Sequence, residues 1–213
     1  RTPYAAMARS YAAGTPMAAT PALLTHLQVA GTGLSVSALV EAGFAVVAQA
    51  CRGTERSDGV FRCNDDEASD GRATAAWLRA QPWCDGTVHG FGGSYVSQTQ
   101  MRTCLGETPS LDTLSPWVAP STFYDDLARR GGVPTSGLTA SWALNRVNDA
   151  RARDGLEPLP PASDADALGE VLARYPGGRH VRDWQQHPLW DEYWDTFAYP
   201  AEALASLDRP AFH

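Results

Sequence analysis

Between Thr87 and Leu105 the chain passes from a short apolar run, Thr87–Phe91, through Gly92-Gly93-Ser94 into Tyr95–Leu105, which has the character of a helix. A strand, a glycine turn and a helix in that order put one residue, Ser94, on the crest of a tight strand-to-helix reversal. The flanking segments repeat the alternation. Ser35–Ala42 reads as a short helix stopped by Gly43, and Phe44–Ala50 as a strand buried on both faces. Asp65-Asp66-Glu67 supplies carboxylates for the start of a helix over Ala73–Ala80, limited by Pro82, and Leu111–Ala119 reads as the next strand. Alternating β and α segments with apolar strands predict an α/β fold, a mostly parallel sheet with helices on both faces.

From about Gly131 the character changes. Pro and Gly clusters, an Ala/Arg/Asp-rich stretch at Ser141–Asp154, the knot Pro158-Leu159-Pro160-Pro161 and an aromatic block at Trp184–Tyr199 predict an inserted helical cap. The expected organisation is a core over 1–130, a cap over 131–205 and the start of the next core strand over 206–213. No internal repeat is visible.

Composition narrows the partners. With a formal net charge of -7 and no dense Lys/Arg run, the chain is a poor match for nucleic acid. No apolar stretch reaches the roughly 18 residues that cross a bilayer, so no membrane partner is expected. A small, weakly charged substrate fits better. The four cysteines lack any Cys-x-x-Cys pair, which argues against a zinc site and favours free thiols. The first residue, Arg1, is neither an initiator methionine nor part of a signal-peptide pattern, and leaves the compartment open, as the sequence does the oligomeric state.

A serine hydroxyl is a weak nucleophile. A hydrolase exposes it on a strained strand-to-helix turn where a base can reach it and helix-end amides face the developing oxyanion. Gly92 and Gly93 supply the room. The elbow Gly-x-Ser-x-Gly is not complete, because Val96 stands at its last glycine. The plain alternative is a turn serine capping the next helix.

Trp77-Leu78, Gln81-Pro82-Trp83-Cys84-Asp85-Gly86 and Phe91-Gly92-Gly93-Ser94-Tyr95, with Ala45-Val46-Val47-Ala48-Gln49 and Arg52-Gly53-Thr54, together resemble the cocaine esterase (CocE/NonD) family of α/β-hydrolases. That family is related to α-amino-acid ester hydrolases and X-Pro dipeptidyl-peptidases. The resemblance runs well from Thr2 to about Gly132, fades through the cap and resumes at Trp190–Trp194 and Leu207–His213. It implies acyl transfer to water from an ester or amide, with no metal or organic cofactor. Ser94 would be the nucleophile, the Tyr4 hydroxyl one oxyanion donor and the Tyr95 backbone N–H the other. The family elbow, Gly-x-Ser-Tyr-x-Gly, makes Ser97 the departure, with looser helix–strand packing expected there. Trp142 and Trp190, like Trp184 and Trp194, would either line an acyl pocket or hold the cap together. Asp125 and Asp126 fall near a carboxylate of amino-ester-cleaving relatives, and otherwise read as a solvated pair.

A base is not apparent. His89 lies five residues before Ser94 in the strand itself, and His180 and His187 read as surface residues of the cap. His213 sits in the last strand and His26 has no supporting pattern. The family order of nucleophile, acid and base puts the aspartate and histidine beyond His213, and the opening strands before Arg1, so that the sheet is expected to be incomplete at both ends. An internal fragment of this kind is expected to fold poorly and to hydrolyse nothing alone. Two rivals remain: a hydrolase-fold domain that binds a ligand or partner without turnover, and a small hydrolase recruiting His180 or His187 with Asp183 or Asp191.

Overall fold

The structure, a computed structural model, describes residues 1–4, 36–105, 110–161, 164–205 and 207–211. The chain forms two compact units, one of residues 1–51, 67–119 and 207–213, the other of 52–66 and 120–206.

In the first unit, helix α1 (Val36–Glu41) closes on Gly43, whose φ is +93°. Phe44 N–H reaches Leu39 O at 3.0 Å and Gly43 N–H reaches Val40 O at 3.0 Å, the paired bonds of a Schellman ending. Ser35 lies outside the described residues. Phe44–Ala50 does not form the doubly buried strand its composition suggests. Phe44, Val46 and Val47 are 48%, 38% and 45% exposed, and pairing among the described residues is confined to its end. There Thr2 bridges Ala50 in parallel, with Thr2 N–H on Gln49 O and Cys51 N–H on Thr2 O, both 2.9 Å. Apolar, β-branched composition makes a strand only where a neighbour completes the ladder, and here Thr2 supplies one rung.

Helix α2 (Glu67–Arg79) starts earlier than its apolar pattern suggests, at the carboxylates themselves, with Glu67 and Asp70 in its first turn and Arg79 in its last. It runs through Gly71 because that residue faces helix α3 (Tyr95–Cys104), where a methyl group would overlap Thr103 Oγ1. Strand β1 (His89–Gly93) pairs in parallel with β2 (Thr113–Trp117), in register from His89↔Thr113 to Gly93↔Trp117. Gly92 and Gly93, expected as the turn, are thus the last two residues of β1. Leu114 also bridges Ala211 in parallel, its N–H 3.0 Å from Pro210 O. Ala75, Val88, Cys104, Leu111 and Leu114 form the core of this unit, covered by Leu78, Met101 and Leu207. The four cysteines are free thiols.

The second unit is mainly helical. A wide turn (Tyr124–Ala128) leads into a two-residue hairpin, β3 (Arg129–Arg130) with β4 (Val133–Pro134). Among the described residues five helices follow: α4 (Ser136–Arg153), α5 (Ala165–Leu172), α6 (Arg179–Gln186), α7 (Glu192–Asp195) and α8 (Ala201–Ala205). Ala140, Ala143, Leu144 and Val147 of α4 pack on Leu168, Leu172 and Val181. A second cluster joins Phe123, Ala128, Trp184 and Trp194.

His180 is a core residue of this unit rather than a surface one, 7% exposed. Residues 180, 181 and 184 share one face of α6, and that face is the buried one. Its ring stands edge-on between Trp142 and Trp184, with centroids 5.7 and 4.9 Å away, and neither ring nitrogen has a hydrogen-bond partner among the described residues. Burial pushes its pKa down from 6.5 to about 4.

Two stability predictions follow from these packings. Gly71→Ala gains about 1 kcal/mol of helix propensity but forces α2 and α3 apart, for a net loss of about 1–2 kcal/mol. The urea midpoint is expected to fall, and an unchanged midpoint would mean that the two helices do not pack this closely. For His180, the unfolded chain takes up a proton near pH 6.5 while the folded chain resists until about pH 4. Between those values the unfolded state holds more protons, so stability falls as pH falls, by roughly 3 kcal/mol in all, and levels off below. Amide protection along α6 should drop about 100-fold from pH 7 to pH 4. In His180→Phe that drop should vanish; its persistence would assign the acid sensitivity to another group.

Candidate active site

Ser94 stands between β1 and α3 at φ 58° and ψ −129°, a conformation that residues with a Cβ avoid. The surrounding sequence holds it there. Gly93 lies against the Trp117 indole, where a methyl group would overlap Nε1 and Cδ1. Gly92, at φ +144°, lies against Val96, and a methyl group would overlap its Cγ1. The Ser94 N–H donates to Trp117 O at 3.1 Å, closing the end of the β1–β2 pairing. The Ser94 carbonyl accepts from the Ser97 and Gln98 amides, at 2.9 and 3.3 Å, and so begins α3.

Ser97 does not loosen this junction. It is fully buried, and its hydroxyl donates to the Ser94 carbonyl, so the polar side chain takes up a bond at the helix start instead of opening a gap. Gln100, also buried, ties three elements together. Its Nε2 donates to Gly92 O and Val96 O at 3.0 and 3.2 Å, while its Oε1 accepts the Ser115 N–H at 3.1 Å.

The Tyr4 hydroxyl lies 3.1 Å from Ser94 Oγ. Besides the Thr2 bridge, the short segment that delivers it is fixed by the Tyr4 N–H on Thr2 Oγ1 at 3.2 Å and by Thr99 Oγ1 on Arg1 O at 3.2 Å. Tyr95 is the first residue of α3, where backbone N–H groups point out of the helix end. Its ring is buried, and its phenol donates to Glu67 Oε1 at 3.0 Å. The structure therefore brings Ser94, Tyr4 and Tyr95 together within the first unit.

Sequence reasoning missed Glu67 and Gln100 as parts of this site. Glu67 reads from sequence as a carboxylate serving the helix dipole, yet it is 3% exposed, with Arg1 Nη1 2.6 Å from its Oε2. The available signal was spacing. Glu67 shares a helical face with Gly71 and Ala75, and Gln100 shares one with Val96, each a buried small or apolar residue.

Trp142, Trp190 and Asp126 belong to the second unit. Trp142 packs against Phe61 and His180, with the Arg146 guanidinium 5.9 Å from its ring. Trp190 is 45% exposed, edge-on to Tyr124, and donates from Nε1 to Asp195 at 3.0 Å. A depression of about 530 Å³ in the second unit is lined by Ala128, Thr139, Val181 and Trp184 among others, but not by Trp142 or Trp190. Asp126 receives the Ser121 hydroxyl at 2.7 Å and the Thr122 N–H at 3.1 Å; the Ser121 hydroxyl, first among these bonds, holds its carboxyl below the usual range. His89 is exposed and bonds Thr113 Oγ1 at 2.8 Å, and His187 Nδ1 lies 2.6 Å from Asp191 Oδ2. His26 and His213 lie outside the described residues. Among the described residues no histidine hydrogen-bonds Ser94, and no cluster of His, Cys, Asp and Glu is arranged to hold a metal ion.

Comparison with known proteins gives a consistent picture. The family described as X-Pro dipeptidyl-peptidase (S15 family) matches residues 1–213. The cocaine esterase of a Rhodococcus species is 29% identical over 190 residues, which cover 81% of this chain and 33% of that protein. A putative serine esterase of Mycobacterium bovis is 32% identical over 122 residues, 56% of this chain and 19% of that protein. The chain thus spans a third or less of the length of these relatives. A crystal structure of a CocE/NonD family hydrolase from Staphylococcus aureus superposes with a TM-score of 0.57 at 24% identity, over 75% of this chain and 25% of that one, a likeness of fold.

Proposed function

The chain belongs to the X-Pro dipeptidyl-peptidase (S15) family, and on that premise we propose that its first unit carries the nucleophile and oxyanion donors of a CocE/NonD-type serine hydrolase. The observation that carries this reading is the Tyr4 hydroxyl 3.1 Å from the Oγ of a serine held at φ 58° between a parallel strand and a helix.

In this reading Ser94 Oγ attacks the carbonyl carbon of an ester or amide. The new C–O bond forms as the hydroxyl proton passes to a base, and the carbonyl oxygen becomes an oxyanion facing the Tyr4 phenol and the Tyr95 N–H. Collapse breaks the bond to the alcohol or amine, which leaves with the proton. Water then repeats the sequence on the acyl-serine and frees the acid. The base and its acid partner are proposed to lie outside residues 1–213. Three things support this: the nucleophile–acid–base order of α/β-hydrolases, the third of cocaine esterase that the chain spans, and the absence of a histidine bonded to Ser94 among the described residues. The substrate class proposed is a small-molecule ester or amide.

In the full gene product, p-nitrophenyl acetate should be turned over with a burst. Ser94→Ala should abolish both turnover and fluorophosphonate labelling. Tyr4→Phe should lower kcat about 100-fold to 1000-fold with KM nearly unchanged, since the lost donor serves the transition state. Labelling that persists in Ser94→Ala would overturn the assignment, and a folded protein that is never labelled would instead be a binding domain.

A further inference from the structure

Resting on the reading of Ser94, Tyr4 and Tyr95 just given, we propose that Glu67 is the positioning residue of the oxyanion site, one buried carboxylate that fixes both donors at once. Oε1 accepts the Tyr95 phenol at 3.0 Å, and Tyr95 is the residue whose N–H heads α3 beside Ser94. Oε2 holds Arg1 Nη1 at 2.6 Å, and Arg1 lies three residues before Tyr4. The Glu67 backbone carbonyl takes a second bond from the same guanidinium nitrogen at 3.3 Å, and Nη2 is held by Asp70 at 3.0 Å, so the arginine is clamped to one turn of α2. The buried Cys51 thiol, next to Thr2's bridge partner Ala50, lies 3.8 Å from Oε2.

The arrangement is directional. The strand β1 and Gln100 fix Ser94 from the sheet side. The Tyr4 segment is attached by two backbone bonds at Thr2, by Thr99 Oγ1 on Arg1 O and by the Arg1 ion pairs. The two donors come from places 91 residues apart in sequence, and Glu67 is bonded toward both. A displacement of the order of 1 Å of either donor is enough to cost about 100-fold in rate, because an oxyanion donor works only at hydrogen-bond distance from where charge develops.

The test uses the full gene product with p-nitrophenyl acetate as substrate and phenylboronic acid as a tetrahedral adduct of the serine. Glu67→Leu keeps much of the side-chain volume but removes both acceptor oxygens, so it serves neither Tyr95 nor Arg1, whereas a glutamine amide could still donate to the Tyr95 hydroxyl. Its kcat should fall about 10-fold to 100-fold with KM within about twofold, and boronate affinity should fall with kcat. Tyr95→Phe keeps the backbone N–H and should fall in the same way. The double variant should be no worse than Glu67→Leu alone, since the Tyr95 phenol acts through a carboxylate that is already gone. Single-variant kcat values within twofold of the parent, or losses that multiply in the double variant, would overturn the proposal. If Glu67→Leu fails to fold by circular dichroism, Tyr95→Phe decides alone. Turnover surviving in Ser94→Ala would strike at the nucleophile assignment instead, which keeps the two failures apart.

Discussion

The hydrogen bond from Ser94 N–H to Trp117 O is the contact on which the rest of the first unit depends. It is the last rung of the parallel pairing of β1 and β2, and it falls on the residue whose φ has already turned positive. A strand that kept its register one residue further would carry Ser94 into the sheet, and one that frayed earlier would leave the turn unsupported. The close approach needs the two preceding residues to lack side chains, one against an indole and one against Val96. Phe91 then stands edge-on to Trp117 at 4.7 Å and walls the strand end. Strain at Ser94 is maintained because its amide, its carbonyl and the helix that follows are each fixed by a different partner.

Much of this was legible because it is local. The order strand, Ser94, helix follows from Thr87–Leu105 alone, and Gly43 stops its helix by a rule of backbone geometry that needs no neighbour. Parallel pairing followed from the alternation of elements. What failed depended on groups distant in sequence. Phe44–Ala50 has the composition of a buried strand, but its state is set by what lies beside it, and composition carries no information about that. Most of α6 is polar by residue type, so a histidine in it reads as exposed until the aromatic residues of α4 and α6 are seen to enclose it.

The second unit shows the same limit in its tryptophans. Trp184 and Trp194 are 7% and 1% exposed and belong to one aromatic cluster with Phe123, whereas Trp190, four residues before Trp194, is open to solvent. Of four tryptophans that the sequence presents alike, two are packing residues and one is a surface residue. Trp142 falls between, half-buried and with a guanidinium against its ring. Aromatic enrichment in a helical segment measures how much area can be buried, and only the packing decides which rings remain available to a ligand.

The chemistry of Glu67 bears on why a charge sits beneath the elbow at all. Burying a carboxylate and a guanidinium removes both from water, and a pair of apolar residues of similar volume is often as stabilising or more so. Stability alone is thus a weak reason for Arg1 and Glu67 at 7% and 3% side-chain exposure. Geometry is a stronger one. An apolar contact tolerates sliding over a broad minimum, whereas a carboxylate with one oxygen on a phenol and the other on a guanidinium fixes distances and directions on two sides. Oxyanion donors need that kind of definition, because their contribution arises at one position of the oxygen and fades on either side of it. On the proposed reading of Tyr4 and Tyr95 as oxyanion donors, the buried ion pair is a cost in stability accepted for their placement rather than a support of the fold.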